Sequence, residues 1–160
     1  MADIIIAGFG GQGVLVLGQM ITYAGMIEDK AVSWFPSYGP EQRGGTCNCS
    51  VVVTEEEIGS PLVTVPTVAI VMNGPSFDRF EPTVGFDGLL IYNSSLIERN
   101  SKRDDIRVIA VPANEIADEL GNSRVANMVM LGAFVGATGL VAEESIEEAL
   151  KEVLSERHHH

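Results

Sequence analysis

The sequence predicts a three-layer α/β/α sandwich built around a mostly parallel, mixed sheet. Short apolar segments rich in β-branched residues alternate along the 160-residue chain with longer segments of helical character. Several of the short segments are apolar at nearly every position, as in parallel strands that helices cover on both faces. A chain of this length suits a single domain with a sizeable core, which we predict over residues 1–157.

Six segments are predicted as strands and four as helices. Five of the predicted strands are short apolar segments, several of them nearly continuous in apolar residues: 3–7, 31–35, 68–72, 89–92 and 107–111. The sixth, "TCNCSVVVT" at 46–54, alternates more regularly, which is typical of an edge or antiparallel strand. The helices are predicted over residues 14–26, 113–120, 125–138 and 143–154.

The last two helices differ in how apolar residues are distributed. Residues 143–154 carry one apolar stripe with glutamates opposite, as in a surface helix. Residues 125–139 are apolar nearly all round, with Gly132 and Gly136 one turn apart. Such a helix must lie centrally or meet a partner chain, and a small domain favours the partner. We therefore expect the isolated chain to form a homodimer.

Composition excludes several classes of partner and site. The 22 acidic and 10 basic residues give a formal charge of −12, which disfavours nucleic acid and anionic membrane surfaces. The N-terminus enters an apolar strand without a basic signal region, so we expect a cytoplasmic protein. His158–His160 read as a purification-tag remnant. No other histidine remains for a triad or a metal site.

The two cysteines, Cys47 and Cys49, are predicted to share one face of a strand. A metal site would need at least two more soft ligands, and the chain has no further cysteine. A disulfide between such close neighbours would distort the strand. We interpret them as small, buried apolar side chains, and we predict no metal site.

The segment "IIIAGFGGQGVLVLG" predicts a Rossmann-like first βα unit. It places Gly8, Gly10 and Gly13 between a strand and a helix, where backbone N–H groups can approach a phosphate. Gly8, Gly10, Gly11, Gln12 and Gly13 are therefore a candidate phosphate-binding loop. A nucleotide-binding Rossmann domain would end its second strand with an acidic residue, but "SWFPSYG" stands there. This favours tight packing or another phosphate ligand over NAD or FAD.

Residues 36–45, which include the segment "SYGPEQRGG" (37–45), form a stiff excursion between two predicted strands because of their prolines and glycines. Long, constrained loops tend to carry function. Arg43 could bind a carboxylate or phosphate through two hydrogen bonds, with Glu41 orienting it. The alternative is a self-contained turn in which the two pair in solvent. The predicted interface or anion-binding residues are Ser37, Tyr38, Glu41, Arg43, Gly44 and Gly45.

Four segments in this order give the chain a family resemblance: "GFGGQGVLVLGQMI", "SYGPEQRGGTCNCSVVV", "MNGPSFDRF" and "RVANMVMLGA". Together they resemble the gamma subunit of the 2-oxoacid:ferredoxin oxidoreductases, over residues 4–139. The SYGPE-RGG form is most similar to the 2-oxoglutarate branch, with the pyruvate, 2-oxoisovalerate and indolepyruvate enzymes as alternatives. A free-standing NAD- or flavin-binding protein is a weaker alternative.

The resemblance implies a multi-subunit enzyme that decarboxylates a 2-oxoacid, reduces ferredoxin and forms an acyl-CoA. It implies catalytic alpha and beta subunits and a ferredoxin-like delta subunit as partners. Thiamine diphosphate, Mg and iron–sulfur clusters would belong to those subunits, and CoA could reach the glycine loop of this one. Two cysteines cannot ligate a four-iron cluster, which agrees with clusters held by the other subunits. No residue of this chain is expected to be catalytic.

Overall fold

A computed structural model describes residues 2–38 and 46–158. The strands are β1 (Ala2–Phe9), β2 (Ala31–Tyr38), β3 (Thr46–Thr54), β4 (Val68–Val71), β5 (Leu89–Asn93) and β6 (Arg107–Val111). The helices are α1 (Val14–Ile27), α2 (Gly74–Phe80), α3 (Ala113–Glu119), α4 (Ala126–Thr138) and α5 (Glu143–His158). The six predicted strands and four predicted helices are all present, with ends that differ by a few residues. Helix α2 has no counterpart among the predicted elements.

The strands form one sheet in the order β2-β3-β1-β4-β5-β6. Strands β1, β4, β5 and β6 run parallel, and β3 is antiparallel to both β1 and β2. The predicted mixed sheet is therefore confirmed. Strand β3 is antiparallel, as its alternation indicates, but it lies inside the sheet, and the hairpin partner β2 forms the edge.

Helices cover both faces of the sheet, which confirms the three-layer arrangement. Along β1, Ile4 and Ile6 point into a core shared with α1, α4 and α5, whereas Ile5 and Ala7 pack towards α2. The second face is covered less completely, since the seven-residue α2 packs on β1 and β4. Edge strand β6 is consequently exposed at Arg107, Val108 and Ala110 rather than buried on both faces.

Helix α1 approaches β2 and β3 very closely at two glycines. A Cβ atom at Gly18 would lie 2.6 Å from Cys49 Sγ and 2.9 Å from Trp34 Nε1, and one at Gly25 would lie 2.7 Å from Val32 Cγ1. The prediction for the cysteines holds fully for Cys49, which is buried and free. Burial raises the pKa of the Cys49 thiol to about 12, so it stays protonated. Cys47 is also free but half-buried.

The turn after α1 holds the start of α5. Glu28 Oε2 accepts a hydrogen bond from the Ala142 backbone N–H at 2.7 Å, and Lys30 Nζ donates to the Leu140 carbonyl at 2.5 Å. The bond from Ala142, with a smaller contribution from Ser145, lowers the pKa of the Glu28 carboxyl below its ordinary value. These contacts fix α5 against α1 at the amino edge of the parallel strands.

Helix α4 is not enclosed, although its sequence is apolar nearly all round. Met130, Leu131 and Phe134 are buried, whereas Gly132 and Gly136 face outward with nothing within 4 Å of an added Cβ. The alternative of a central, enclosed position is therefore excluded, and the favoured contact with a partner chain stays a prediction. Across the described ranges, the helices are all too short or too polar to cross a bilayer.

Candidate functional site

The chain leaves the carboxyl ends of β1 and β4 towards opposite faces of the sheet. Helix α1 follows β1 onto one face of the sheet, and α2 follows β4 onto the other. In open α/β sheets such a switch point leaves a crevice outside the carboxyl ends of the strands, where ligands bind. The predicted glycine loop lies at this position.

The glycine loop is closed by the side chain of Gln12. Its Oε1 accepts the Phe9 backbone N–H at 2.6 Å, and its Nε2 lies 3.5 Å from the Met72 carbonyl oxygen at the end of β4. Gly11 and Gly13 have φ values of 91° and 75°, a left-handed conformation that L side chains rarely adopt. Gln12 therefore acts as a brace between two strands and positions the loop backbone.

The glycines of the loop divide into two groups. Gly8 and Gly13 serve packing: a Cβ at Gly8 would lie 2.9 Å from Met72 Cβ, and one at Gly13 would collide with the Asn127 amide. Gly10 and Gly11 are exposed, with nothing within 4 Å of an added Cβ. The second pair therefore leaves open space beside the loop backbone, where a ligand can approach.

Asn127, from the first turn of α4, is not among the predicted site residues. Its Nδ2 donates to the Gly13 carbonyl oxygen at 3.3 Å, which joins α4 to the end of the glycine loop. An amide in a largely apolar helix, "VANMVMLGAFVG", is the signal that could have identified it. Helix α4 thus supports the loop directly.

The sheet order explains why a ribose-binding acid is missing. In a Rossmann domain the second strand lies beside the first, but here β3 separates β1 from β2. Glu28 and Asp29 precede β2 at the opposite edge of the sheet. The start of β3, with Thr46 opposite Phe9 and Cys47 opposite Gly8, occupies the neighbouring position. This geometry disfavours NAD and FAD.

The second predicted motif is only partly described. Ser37 and Tyr38 end β2 and pair with Asn48 and Cys47 of β3. Glu41, Arg43, Gly44 and Gly45 lie outside the described residues. The two strand ends that flank this segment are at the carboxyl edge, because Cys47 also pairs with Gly8 of β1. Both motifs therefore lie at the same edge of the sheet, since the glycine loop follows β1 and residues 39–45 connect β2 to β3, the neighbour of β1.

Two aromatic residues of β2, Trp34 and Phe35, have different surroundings. Trp34 is half-buried beside Gly18 and Cys49 and packs against the core. Phe35 points the other way and is 44% exposed, and Phe9, at the end of β1, is 38% exposed. Alternation along the strand assigns only one face to the core.

The comparison with protein families decides the relationship. The chain matches the model "Pyruvate ferredoxin/flavodoxin oxidoreductase" (POR) over residues 3–160. This chain belongs to the POR family.

Relatives of this POR-family chain differ in length. It is 47% identical over 148 residues to the ketoisovalerate oxidoreductase subunit VorA of Methanothermobacter marburgensis, covering 91% of this chain and 30% of VorA. It is 36% identical over 156 residues to the 2-oxoglutarate synthase subunit KorC of the same organism, covering 93% of this chain and 84% of KorC. The chain thus spans less than a third of VorA but most of KorC.

A solved structure confirms the fold of the POR-family chain. The keto/oxoacid ferredoxin oxidoreductase gamma subunit of Geobacter sulfurreducens matches with a TM-score of 0.80 and 28% identity. The match covers 94% of this chain and 85% of that one. The resemblance to gamma subunits found in the sequence motifs is confirmed by this structure.

Buried amides follow the next two strands of the POR-family chain. Asn73, after β4, caps α2 by accepting the Ser76 N–H at 2.9 Å, and its Nδ2 is buried without a partner among the described residues. Asn93, at the end of β5, accepts N–H groups of Ser95 and Ala113 and donates to Asn114 Oδ1. These amides order the loops beside the glycine loop. Within residues 2–38 and 46–158, no cluster of His, Cys, Asp and Glu could hold a metal ion.

Proposed function

We propose that this chain is the gamma component of a multi-subunit 2-oxoacid:ferredoxin oxidoreductase. Such an enzyme oxidatively decarboxylates a 2-oxoacid to an acyl-CoA and reduces ferredoxin. The observation that carries this proposal is the placement of the two motifs. The glycine loop and both strand ends that flank residues 39–45 lie at one sheet edge, through the pairings of Phe9 with Thr46 and of Cys47 with Tyr38.

The role proposed for the chain is to complete a site at a subunit junction. The described residues do not fit an iron–sulfur cluster, since Cys49 is buried with a raised thiol pKa and only Cys47 is near it. Thiamine diphosphate, Mg and the clusters are therefore assigned to the alpha, beta and delta subunits. The chain itself supplies a shaped, anion-accepting edge and no catalytic residue.

The electrostatics of the edge support a phosphate-bearing ligand, for which CoA is the candidate. Helix α1 begins at Val14 after the N-cap residue Gly13, with no side-chain cap and no acidic residue in its first turn. The partial positive charge of its N-terminus is therefore directed at the loop without a competing carboxylate. Gly10 and Gly11 give the ligand unobstructed access to the backbone.

Two substrates have specific support. The SYGPE-RGG form of residues 37–45 favours 2-oxoglutarate, which we propose first. Ketoisovalerate is the second candidate, because the identity to VorA exceeds that to KorC. The carbon skeleton would be read mainly by other subunits, so the assay must contain the whole complex.

Co-expression with the neighbouring oxidoreductase subunits of the source organism tests the function. The purified complex should reduce a viologen dye when given CoA and either 2-oxoglutarate or ketoisovalerate. The isolated chain should give no reduction and no visible absorption from a flavin or cluster. Activity of the chain alone, or a complex that forms without it and is fully active, would overturn the proposal.

Replacement of Gly10 tests the phosphate loop separately. Gly10→Asp places a carboxylate where nothing lies within 4 Å, so the fold should tolerate it. Repulsion between unit charges about 4 Å apart amounts to roughly 1 kcal/mol in water and about 4 kcal/mol near a protein surface. We therefore expect the KM for CoA to rise at least tenfold, as measured in initial-rate assays of the complex. Gly10→Asn, with the same shape and no charge, is the control and should change KM much less. Equal effects of the two variants would contradict a phosphate at this loop.

A further inference from the structure

An apolar groove of about 310 Å³ lies between α4 and α5. Met20 and Leu131 form its buried base, and Met128, Val135, Ile146 and Leu150 line its sides. Leu150 is 39% exposed, which is unusual for a leucine on the apolar stripe of a helix. The groove is therefore an apolar surface that the described part of the chain leaves uncovered.

The α4 side of the groove is open at backbone level. Gly132 lines it and is exposed, and nothing lies within 4 Å of a Cβ added there. Gly136, one turn later, is equally open. With no side chain at either position, another backbone can approach α4 closely. This opening suits a compact element such as a helix better than a flat surface.

The α5 side of the groove is acidic. Glu143 and Glu147 line it, four residues apart on one helical face, and both are exposed. The sequence of α4, in contrast, contains no charged residue. An occupant must therefore combine apolar or small side chains towards α4 with positive charge towards α5.

We propose that this groove binds a short amphipathic helix of a different chain, with lysine or arginine on one edge. Its apolar face would enter between the two helices, as in other helix-in-groove complexes. Its basic side chains would form charge-assisted hydrogen bonds with Glu143 and Glu147. Residues 143–150 span about 12 Å at 1.5 Å per residue, so the contact is roughly two helical turns long. This inference rests on the proposed function in one respect: the helix would belong to another subunit of the proposed complex.

A second copy of this chain is a poor occupant. Helices α1, α3 and α4 contain no lysine or arginine, and α5 carries six glutamates beside Lys151 and Arg157. Two copies, each with a formal charge of −12, would repel one another at this acidic side. Self-association through the groove would strengthen as salt screens that repulsion, whereas binding of a basic helix would weaken with salt. Salt dependence thus separates the two occupants.

The first test uses a synthetic probe and the full chain. A helical peptide of about 16 residues, with an alanine and leucine face and two lysines four residues apart, is titrated against a matched peptide with glutamates. We expect the lysine peptide to bind at least tenfold more tightly, and less tightly as salt rises. The double variant Glu143→Lys/Glu147→Lys should reverse this preference. Gly132→Leu, which fills the opening, should weaken binding at least tenfold, and Gly132→Ala should weaken it less.

The second test uses the complex. Gly132→Leu and Glu147→Lys should each reduce recovery of the other subunits at least tenfold in co-purification. Any one of three results would overturn the proposal. The first is normal recovery with both variants, and the second is equal binding of the two peptides. The third is a wild-type homodimer that becomes stronger with salt and that Gly132→Leu disrupts. Thermal melting shows whether each variant folds. If Gly132→Leu does not fold, the charge-reversal variants alone test the proposal. If wild type joins no complex but shows the charge-dependent peptide binding, the groove stands and the proposed function fails.

Discussion

Gly18→Ala is expected to destabilise the chain by about 2 kcal/mol, because overpacking a filled core typically costs about 1–3 kcal/mol. The added Cβ would lie 2.6 Å from Cys49 Sγ and 2.9 Å from Trp34 Nε1. Cys49 is fully buried and Trp34 half-buried, and the hairpin β2–β3 pairs with β1, so the strands cannot retreat without disturbing the sheet. For a domain of this size, thermal melting should show a fall in Tm of about 4–8 °C.

Gly132→Ala is the matched control, since the same substitution is made inside another helix. Nothing lies within 4 Å of the new Cβ, so only the helical preference for alanine over glycine acts. That preference should stabilise the chain by up to about 1 kcal/mol. The double variant Gly18→Ala/Cys49→Ala should recover part of the loss, because the sulfur that is closest to the new methyl group is removed. Equal effects at Gly18 and Gly132 would show that α1 is not held tightly against the hairpin.

Most of the secondary structure could be predicted because the apolar patterns are strong. Strand β1, buried on both faces, and helix α5, with a single stripe, show the periods expected of them. Helix α2 is too short for a periodic signal at seven residues. Its start was nevertheless visible in "MNGPSF", since Asn73 is a favourable cap and Pro75 suits the first turn.

The sheet order could not be predicted from local sequence. Insertion of β3 between β1 and β2 depends on pairings between residues about 40 positions apart, such as Gly8 with Cys47. The same pairings bring the two motifs together, so the site as a surface becomes visible only in the fold. Separate roles for Gly8 and Gly10 likewise depend on a distant neighbour, Met72. The motif pattern itself treats all its glycines alike.

The outward-facing residues of α4 show a different limit. An apolar helix surface predicts contact but does not say with what. Here Met130 and Phe134 meet the core, while Gly132 and Gly136 meet nothing in the described chain. Glycine has no apolar side chain to bury. The outward side of α4 is therefore open because Gly132 and Gly136 lack side chains there.

Arg43→Ala is expected to weaken assembly of the complex by about 2–5 kcal/mol, the usual cost of removing one partner of a buried charge pair. Arg43 itself lies outside the described residues, but its segment leaves and re-enters the sheet at Tyr38 and Thr46, beside the glycine loop. A guanidinium at that junction would meet a carboxylate of another subunit or a ligand phosphate. Arg43→Lys should recover only part of the loss, since lysine keeps the charge but not the planar pair of donors.

The lone chain should barely respond to these changes, because an exposed ion pair contributes at most about 1 kcal/mol. Lys102→Ala is the control for loss of one positive charge, since Lys102 is exposed and precedes β6 at the opposite edge of the sheet. Melting of the isolated chain and recovery of the complex are therefore measured together for each variant. A large fall in Tm of the Arg43→Ala chain, combined with normal assembly, would mean that Arg43 holds only its own loop together. In that case the carboxyl edge would retain its glycine loop but lose its subunit contact, and the two motifs would have separate roles.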